Sequence, residues 1–161
     1  MIFKIKKGHH FANFHIGLTF KDVLNFTAVF DDNCVYPYLN KDTNDLNKLY
    51  GFSDDWYHMK NSIRIGWRCI DGKTIELWGF IHNNGVESWK YICTVLPNEV
   101  IKCQILIYDN QYLLMVYNGT KSYSITMPRT SNWKFLRYTL HPYFGGNNVA
   151  PNDMIITIEN K

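Results

Sequence analysis

The side chains best suited to chemistry lie on one face of a predicted β-hairpin. Residues 61–85 alternate between two faces on both sides of the pair Asp71-Gly72, which is the strongest short-range signal for a hairpin. One face is aliphatic and is expected to enter the core. The other is unusual for a plain solvent face, because it carries Arg64, Arg68, Glu76, Trp78 and His82.

Two further candidates lie near the end of the chain. His141 and Tyr143 alternate with apolar residues that we expect to face the core (Leu140, Pro142 and Phe144) in a predicted extended segment over 136–144. An imidazole or a phenol can act as a general base, and an arginine can neutralise a carboxylate. The candidate ligand-binding residues are therefore Arg64, Arg68, Glu76, Trp78, His82, His141 and Tyr143.

A structural interpretation of the hairpin face competes with the binding one. Arg64 and Glu76 could form a cross-strand ion pair, and Trp78 could pack under the long segment 31–57. Such a pair contributes only about 0.2–1 kcal/mol, and it would not explain a second arginine, Arg68, on the same face. Whether this face is open or covered by the segment 31–57 decides between the two interpretations.

The rest of the chain predicts the scaffold. About ten short alternating segments, at regular spacing and with turn residues between them, are typical of an all-β sandwich or barrel. The aromatic content of 16% fits this class, since flat rings pack well on pleated sheets. We predict one domain over residues 1–161, an antiparallel two-sheet β-sandwich.

The segment 31–57 interrupts this pattern. Within it, residues 43–51 predict one or two helical turns, with Thr43 or Asn44 as the N-cap and Gly51 as the end. The predicted fold is therefore a sandwich with one short helix in a long loop.

Composition argues against several partners. The net charge is only +3, and the short basic run Lys4–Lys7 is more typical of a solvated edge strand than of a nucleic-acid surface. No apolar run is long enough to cross a bilayer, and charged residues interrupt the apolar N-terminal residues. We predict no nucleic-acid or membrane partner, no signal peptide and synthesis in the cytoplasm.

The four cysteines predict neither a metal site nor a redox motif. None of them has a CxxC spacing, so reduced, buried thiols are expected in the absence of export. Cys93 and Cys103 flank the turn at Pro97 and could face each other on neighbouring strands, which leaves a bond between them open.

The run over residues 141–153, HPYFGGNNVAPND, is the most distinctive in the chain. Two glycines after an aromatic strand, then Ala-Pro, then an aspartate opening the last strand, resemble the closing strands of concanavalin A-like jelly rolls. The run is most similar to that of alginate-lyase-type polysaccharide lyases. The resemblance covers about a tenth of the chain. It implies a jelly roll with one concave, lectin-like sheet that holds ligands, often sugars, on aromatic rings and a few polar groups.

The chain also resembles small uncharacterised proteins of Bacteroidetes and their phages. The matching segments are residues 45–52, 61–68 and 144–153. This resemblance implies a fold and no activity, and a role as a phage or virion component would fit it.

Cofactors are not predicted, with one exception left open. His9, His10 and His15 cluster without the spacing of a metal site. Residues 42–45, Asp-Thr-Asn-Asp, resemble a calcium-binding loop only in part, because its glycine and its final glutamate are missing. Jelly rolls do hold structural calcium, so a calcium ion stays possible.

Three hypotheses for the function follow. The first is a non-catalytic binding or assembly module that recognises a glycan or a protein through its concave sheet. An oligomer and a place in a virion are compatible with it. The second is a polysaccharide lyase in which Tyr143 or His141 is the base and Arg64 or Arg68 neutralises a uronate carboxylate. The third is a phage-encoded inhibitor of host defence.

Overall fold

Two six-stranded antiparallel sheets face each other in the computed structural model, which describes residues 1–37 and 45–161. The first sheet has the spatial order β1 (Ile2–Ile5), β12 (Met154–Asn160), β3 (Val23–Phe30), β8 (Ile101–Tyr108), β9 (Gln111–Asn118) and β10 (Lys121–Pro128). The second has the order β2 (Leu18–Thr19), β11 (Arg137–Leu140), β4 (Asn47–Ser53), β5 (Asn61–Arg68), β6 (Ile75–Asn83) and β7 (Val86–Val95). The predicted all-β, two-sheet sandwich is confirmed.

The core lies between the two sheets. Trp67 of β5 packs on Phe30 of β3, with 5.1 Å between the ring centroids, and Tyr50 of β4 packs on Phe26 at the same distance. Gly79 of β6 has no room for a side chain, since a Cβ there would lie 2.6 Å from the sulfur of Met127. The aliphatic face of the hairpin β5–β6 is therefore buried, and its polar face points away from the first sheet.

The helical turns predicted over residues 43–51 are wrong where the structure describes them. Residues 47–51 belong to β4, which pairs with β5, whereas Thr43 and Asn44 lie outside the described residues. A register shift between Lys48 and Tyr50 lets two consecutive apolar residues, Leu49 and Tyr50, both be buried. With Leu46 they imitate the apolar face of a helix in the sequence.

The described part of the chain contains one short 3-10 turn, Asp32–Cys34. None of its helices is long and apolar enough to cross a membrane. Cys93 lies on β7 and Cys103 on β8, which belong to different sheets, so the two are not on neighbouring strands, and both are free thiols, as expected. Both thiols are buried, and burial raises the pKa of Cys93 to about 11.

The glycine-rich run near the C-terminus is held against the start of β4. The backbone N–H groups of Gly146 and Asn147 donate to the carboxylate of Asp45 at 2.5 and 3.1 Å, and the N–H of Gly145 donates to Asn47 at 2.6 Å. Gly145 has a φ of +66°, and a Cβ there would overlap the carbonyl oxygen of Asn148. The glycines thus allow a tight turn directly after the aromatic segment 141–144, whose Tyr143 pairs with Lys48 at the start of β4.

A buried ion network links the end of β4 to the segment before β11. The carboxylate of Asp54, which is 0% exposed, accepts hydrogen bonds from Tyr112 at 2.7 Å and from Arg129 at 2.5 Å. The Nε of Arg137 also donates to it at 3.0 Å, and Arg137 pairs with the exposed Asp22 at 3.0 Å. The sequence analysis did not identify this network, because its members are distant along the chain.

Candidate functional site

Arg64 occupies the middle of the outer face of the second sheet. Its direct neighbours across the sheet are Gly51 of β4 and Phe80 of β6, and its guanidinium carbon lies 5.3 Å from the centre of the Phe80 ring. The residue is only 7% exposed, and within residues 1–37 and 45–161 no carboxylate pairs with it and its buried Nε has no hydrogen-bond partner. Burial lowers the pKa of Arg64 to about 10, so the side chain is still charged at neutral pH.

A cavity of about 520 Å³ opens beside Arg64. It lies between β11, the segment after it and the segment of residues 11–17. Besides Arg64, the residues that border it include His58, Tyr138, Leu140, His141 and Tyr143. Tyr143 of the C-terminal run therefore meets Arg64 of the hairpin in one cavity, whereas the His141 ring packs on the core residue Tyr50.

Tyr143 is positioned by backbone pairing with β4. Its N–H donates to the carbonyl of Lys48 at 2.9 Å, and the N–H of Lys48 donates back at 2.8 Å. The Tyr143 ring stacks on His10, with 5.4 Å between centroids, and meets the edge of Phe11. Rings on two sides therefore hold the phenol in the cavity that Arg64 borders.

Tyr138 is a site residue that the sequence analysis missed. Its hydroxyl accepts a hydrogen bond from the backbone N–H of His58 at 3.1 Å and lies 3.4 Å from the carbonyl oxygen of Trp56. Burial raises the pKa of Tyr138, and burial together with Arg64 lowers the pKa of His58. Both groups are therefore neutral at pH 7 and can bind a ligand by hydrogen bonds.

His82 is buried in a chain of hydrogen bonds along the same face. Its Nε2 lies 3.0 Å from a carboxylate oxygen of Glu87, and its Nδ1 lies 3.2 Å from the hydroxyl of Ser62. A carboxylate only accepts, so Nε2 carries the proton and Nδ1 accepts from Ser62 in the neutral ring. Burial, followed by the charge of Arg64, lowers the pKa of His82 and favours this neutral form.

The other three predicted site residues form a separate group at the end of β5. The Nε of Arg68 donates to Glu76 at 2.7 Å, and the indole of Trp78 donates to the same oxygen at 3.1 Å. The guanidinium of Arg68 lies over the Trp78 ring, 4.5 Å from its centre. The ion pair considered between Arg64 and Glu76 is thus wrong, because the register places Glu76 opposite Arg68.

His141 faces the opposite way from Arg64. Its ring stacks on the core residue Tyr50, with 5.6 Å between centroids and 7° between planes, and its Nε2 lies 2.8 Å from the Thr139 hydroxyl. Leu140 pairs with Gly51, so it shares the face of Arg64 and borders the cavity. The predicted alternation is therefore reversed at these two positions, because β11 pairs Leu140 with Gly51 and ends there.

Lys48 and Phe80 also belong to this face and were not predicted. The Lys48 ammonium lies 4.7 Å from the centre of the Phe80 ring and 3.5 Å from the carbonyl oxygen of Gly145. Burial and the nearby charge of Arg64 lower the pKa of Lys48. Lys48 was not predicted as a site residue, because its segment was interpreted as a helix rather than as a strand beside β5.

Residues 38–44 lie outside the described residues. Whether they cover Arg64, and whether residues 42–44 take part in a calcium loop, therefore stay predictions. Asp45, the last residue of that loop, is described. The Asp45 carboxylate already accepts two backbone hydrogen bonds. Among the described residues, no group of three or more His, Cys, Asp or Glu side chains is arranged to hold a metal ion.

The sheets and the aromatic outer face define a class of fold, the jelly-roll β-sandwich. No model of a known protein family matches the sequence, and no curated protein matches it either. Solved structures do match. The alginate lyase from Klebsiella pneumoniae has a TM-score of 0.61 at 12% identity, over 86% of this chain and 59% of that chain. The exolytic PL7 alginate lyase from Zobellia galactanivorans has a TM-score of 0.52 at 10% identity, over 99% and 83%.

These likenesses confirm the predicted resemblance to the jelly roll of alginate lyases as a likeness of fold. The chain spans about three fifths of the Klebsiella pneumoniae enzyme. The structural matches do not support the resemblance to proteins of Bacteroidetes and their phages, and the role in a virion stays a prediction.

Proposed function

We propose that this chain binds an acidic polysaccharide in the cleft beside Arg64. The observation that carries the proposal is a buried guanidinium that has no carboxylate partner among the described residues. A buried charge is costly unless it is paired, and an arginine binds a carboxylate with two parallel hydrogen bonds. The carboxylate of a uronic acid unit would supply the missing partner.

Neighbouring groups favour an anion at the same place. Lys48 adds a second cation next to the Phe80 ring, and the nearby imidazoles of His58 and His82 are neutral. Glu87 is the acid that acts most strongly on Arg64, and it is already bonded to His82. Asp45, the other acid that acts on Lys48, already accepts two backbone hydrogen bonds, so Arg64 is left without a bonded carboxylate among the described residues.

Rings at the edges of this face suit a sugar chain. Trp89 and Tyr91 of β7 remain exposed, as does Phe11 beside Tyr143. The apolar C–H faces of sugars can stack on such rings, while hydroxyl groups bond to polar side chains. The alginate lyases that share the fold are consistent with a glycan partner of this chemistry.

The test is a comparison of acidic and neutral polymers. We expect the purified protein to retain alginate and polygalacturonate on affinity electrophoresis, and to lose this binding as the salt concentration rises. Dextran, which carries no carboxylate, should not be retained. The proposal would be contradicted if dextran were retained as strongly as the acidic polymers, or if no polymer were retained.

A second candidate function is cleavage of the bound chain by elimination. Arg64 and Tyr143 border one cavity, which supplies a cation for the carboxylate and a phenol oxygen as base. Tyr143, as its phenolate, would take the proton from the ring carbon beside the carboxylate. The C–H electrons would form a C=C bond, and the glycosidic oxygen would leave with the electrons of its bond. The Tyr143 phenol would then give the proton to that oxygen, which restores the phenolate.

Elimination has a distinct product. If the chain is a lyase, incubation with alginate should raise the ultraviolet absorbance of the unsaturated ends, and Tyr143→Phe should abolish the rise while retaining the polymer. The matched control Tyr117→Phe, on the other sheet, should behave as wild type. If no absorbing product forms at any of the pH values tested while the polymer still binds, the elimination is ruled out and the chain is a non-catalytic binding module.

A further inference from the structure

A second cavity adjoins the cleft, and Tyr138 lines both. This cavity has a volume of about 440 Å³ and is lined mainly by rings and aliphatic side chains. Trp56 is 82% exposed there and Phe135 is 68% exposed, which is a large apolar surface to leave in water. The residues that line it are Leu18, Asp55, Trp56, Trp133, Phe135 and Leu136, with Arg137 and Tyr138 of β11.

The rings of this surface are held by their backbone although they are exposed. The carbonyl of Trp133 accepts hydrogen bonds from Arg129 at 3.2 Å and from Arg137 at 3.0 Å. The indole of Trp133 donates to the carbonyl of Leu136 at 3.2 Å, and its ring meets the edge of Phe135. These contacts tie the surface to the buried network around Asp54, so little freedom is lost when a ligand binds.

The loop that carries Trp56 is fixed in a similar way. The N–H of Asp54 donates to Asn61 at 2.9 Å, and Lys60 pairs with Asp55 at 3.0 Å. The Trp56 carbonyl lies 3.4 Å from the Tyr138 hydroxyl, which also borders the Arg64 cleft. Among the described residues that line this cavity, Asp55 carries the carboxylate, and its pairing with Lys60 offsets its repulsion of an anionic polymer.

We propose that Trp56 forms a second subsite, which stacks a further sugar unit of the polysaccharide held at Arg64. The inference rests on the proposed function. A polymer seated in the cleft must continue past one of its ends, and beyond Tyr138 it meets the exposed rings. The C–H face of a sugar ring covers an indole while its hydroxyl groups stay in water, which suits a surface poor in hydrogen-bonding side chains.

The test is a series of alginate oligosaccharides of increasing length. We expect Trp56→Ala to lower the affinity for a hexasaccharide about tenfold and to leave that for a disaccharide unchanged, because only the longer chain reaches the ring. Tyr108→Ala is the matched control, since Tyr108 is 69% exposed at the end of β8 in the other sheet. Titration calorimetry gives the affinities, and circular dichroism confirms the fold of each variant.

Several outcomes would overturn the subsite. An unchanged hexasaccharide affinity in Trp56→Ala, with a loss in Arg64→Met, removes the subsite and keeps the proposed function. Wild-type affinity of Arg64→Met for every length removes the proposed function itself. A protein that sediments as a dimer and becomes monomeric in Trp56→Ala would make the surface an interface between two copies instead.

Discussion

Replacing Arg64 with methionine is expected to lower the affinity for an alginate oligosaccharide about thirtyfold or more, and at the same time to stabilise the fold. The loss follows because removing one partner of a desolvated charge pair costs about 2–5 kcal/mol, and about 1.4 kcal/mol corresponds to a factor of ten. The gain follows because Arg64 is a buried cation without a carboxylate partner among the described residues. Methionine is unbranched and apolar, so although it is shorter than arginine it can pack beside Phe80 without a buried charge.

The matched control for this substitution is Arg68→Met on the same strand. Arg68 pairs with Glu76 and lies over Trp78, four residues along β5 from Arg64. We expect the affinity to stay near that of the wild type and the stability to fall by about 1–3 kcal/mol, because the largely buried Glu76 loses its cation. If Arg64→Met instead unfolds more easily and binds normally, Arg64 is a structural residue and the cleft is not the binding site.

The combination of the two signs is what identifies a binding residue. Replacing a side chain that stabilises the fold makes the free protein less stable. Replacing a side chain that serves to bind a ligand commonly makes the free protein more stable. Urea unfolding of the free protein and calorimetry with the oligosaccharide measure the two quantities separately. The stability gain concerns the free protein alone, so it can be checked before a ligand is known.

Period-two alternation was enough to predict the hairpin β5–β6 and the polar face that carries Arg64. Alternation alone did not identify which residues of β5 and β6 lie opposite each other on that face, although the position of the turn at Gly72 determines this register. Arg68 and Glu76 are each four residues from Gly72, so a turn centred there places them opposite each other. The prediction considered Arg64 with Glu76 because it paired residues by charge and not by register.

Other features depend on contacts that sequence spacing does not encode. The register shift after Lys48 hid a strand, and with it a second cation of the site. Tyr138 was passed over because β11 pairs with β4 in the register that turns His141 inward. Such choices are made by packing between distant strands, which a local pattern cannot decide.

Asp54→Asn is expected to destabilise the protein by about 3–5 kcal/mol, the largest loss of stability among single substitutions at the network. The substitution keeps the shape of the side chain but removes the charge that balances Arg129 and Arg137. It also places an amide N–H where those side chains and the Tyr112 hydroxyl all donate. Urea unfolding followed by tryptophan fluorescence measures the loss.

Asp22→Asn is the control for this prediction, since it removes the other carboxylate of Arg137. The Asp22 side chain is largely exposed, so we expect a loss below about 1 kcal/mol. A small loss in Asp54→Asn would mean that water or a rearranged arginine replaces the carboxylate. Buried arginines thus lead to opposite predictions for the stability of the fold at these two places. Removing the partner of Arg129 and Arg137 should weaken the fold. Removing Arg64, which has no carboxylate partner among residues 1–37 and 45–161, should strengthen it, because a bound ligand would complete its site.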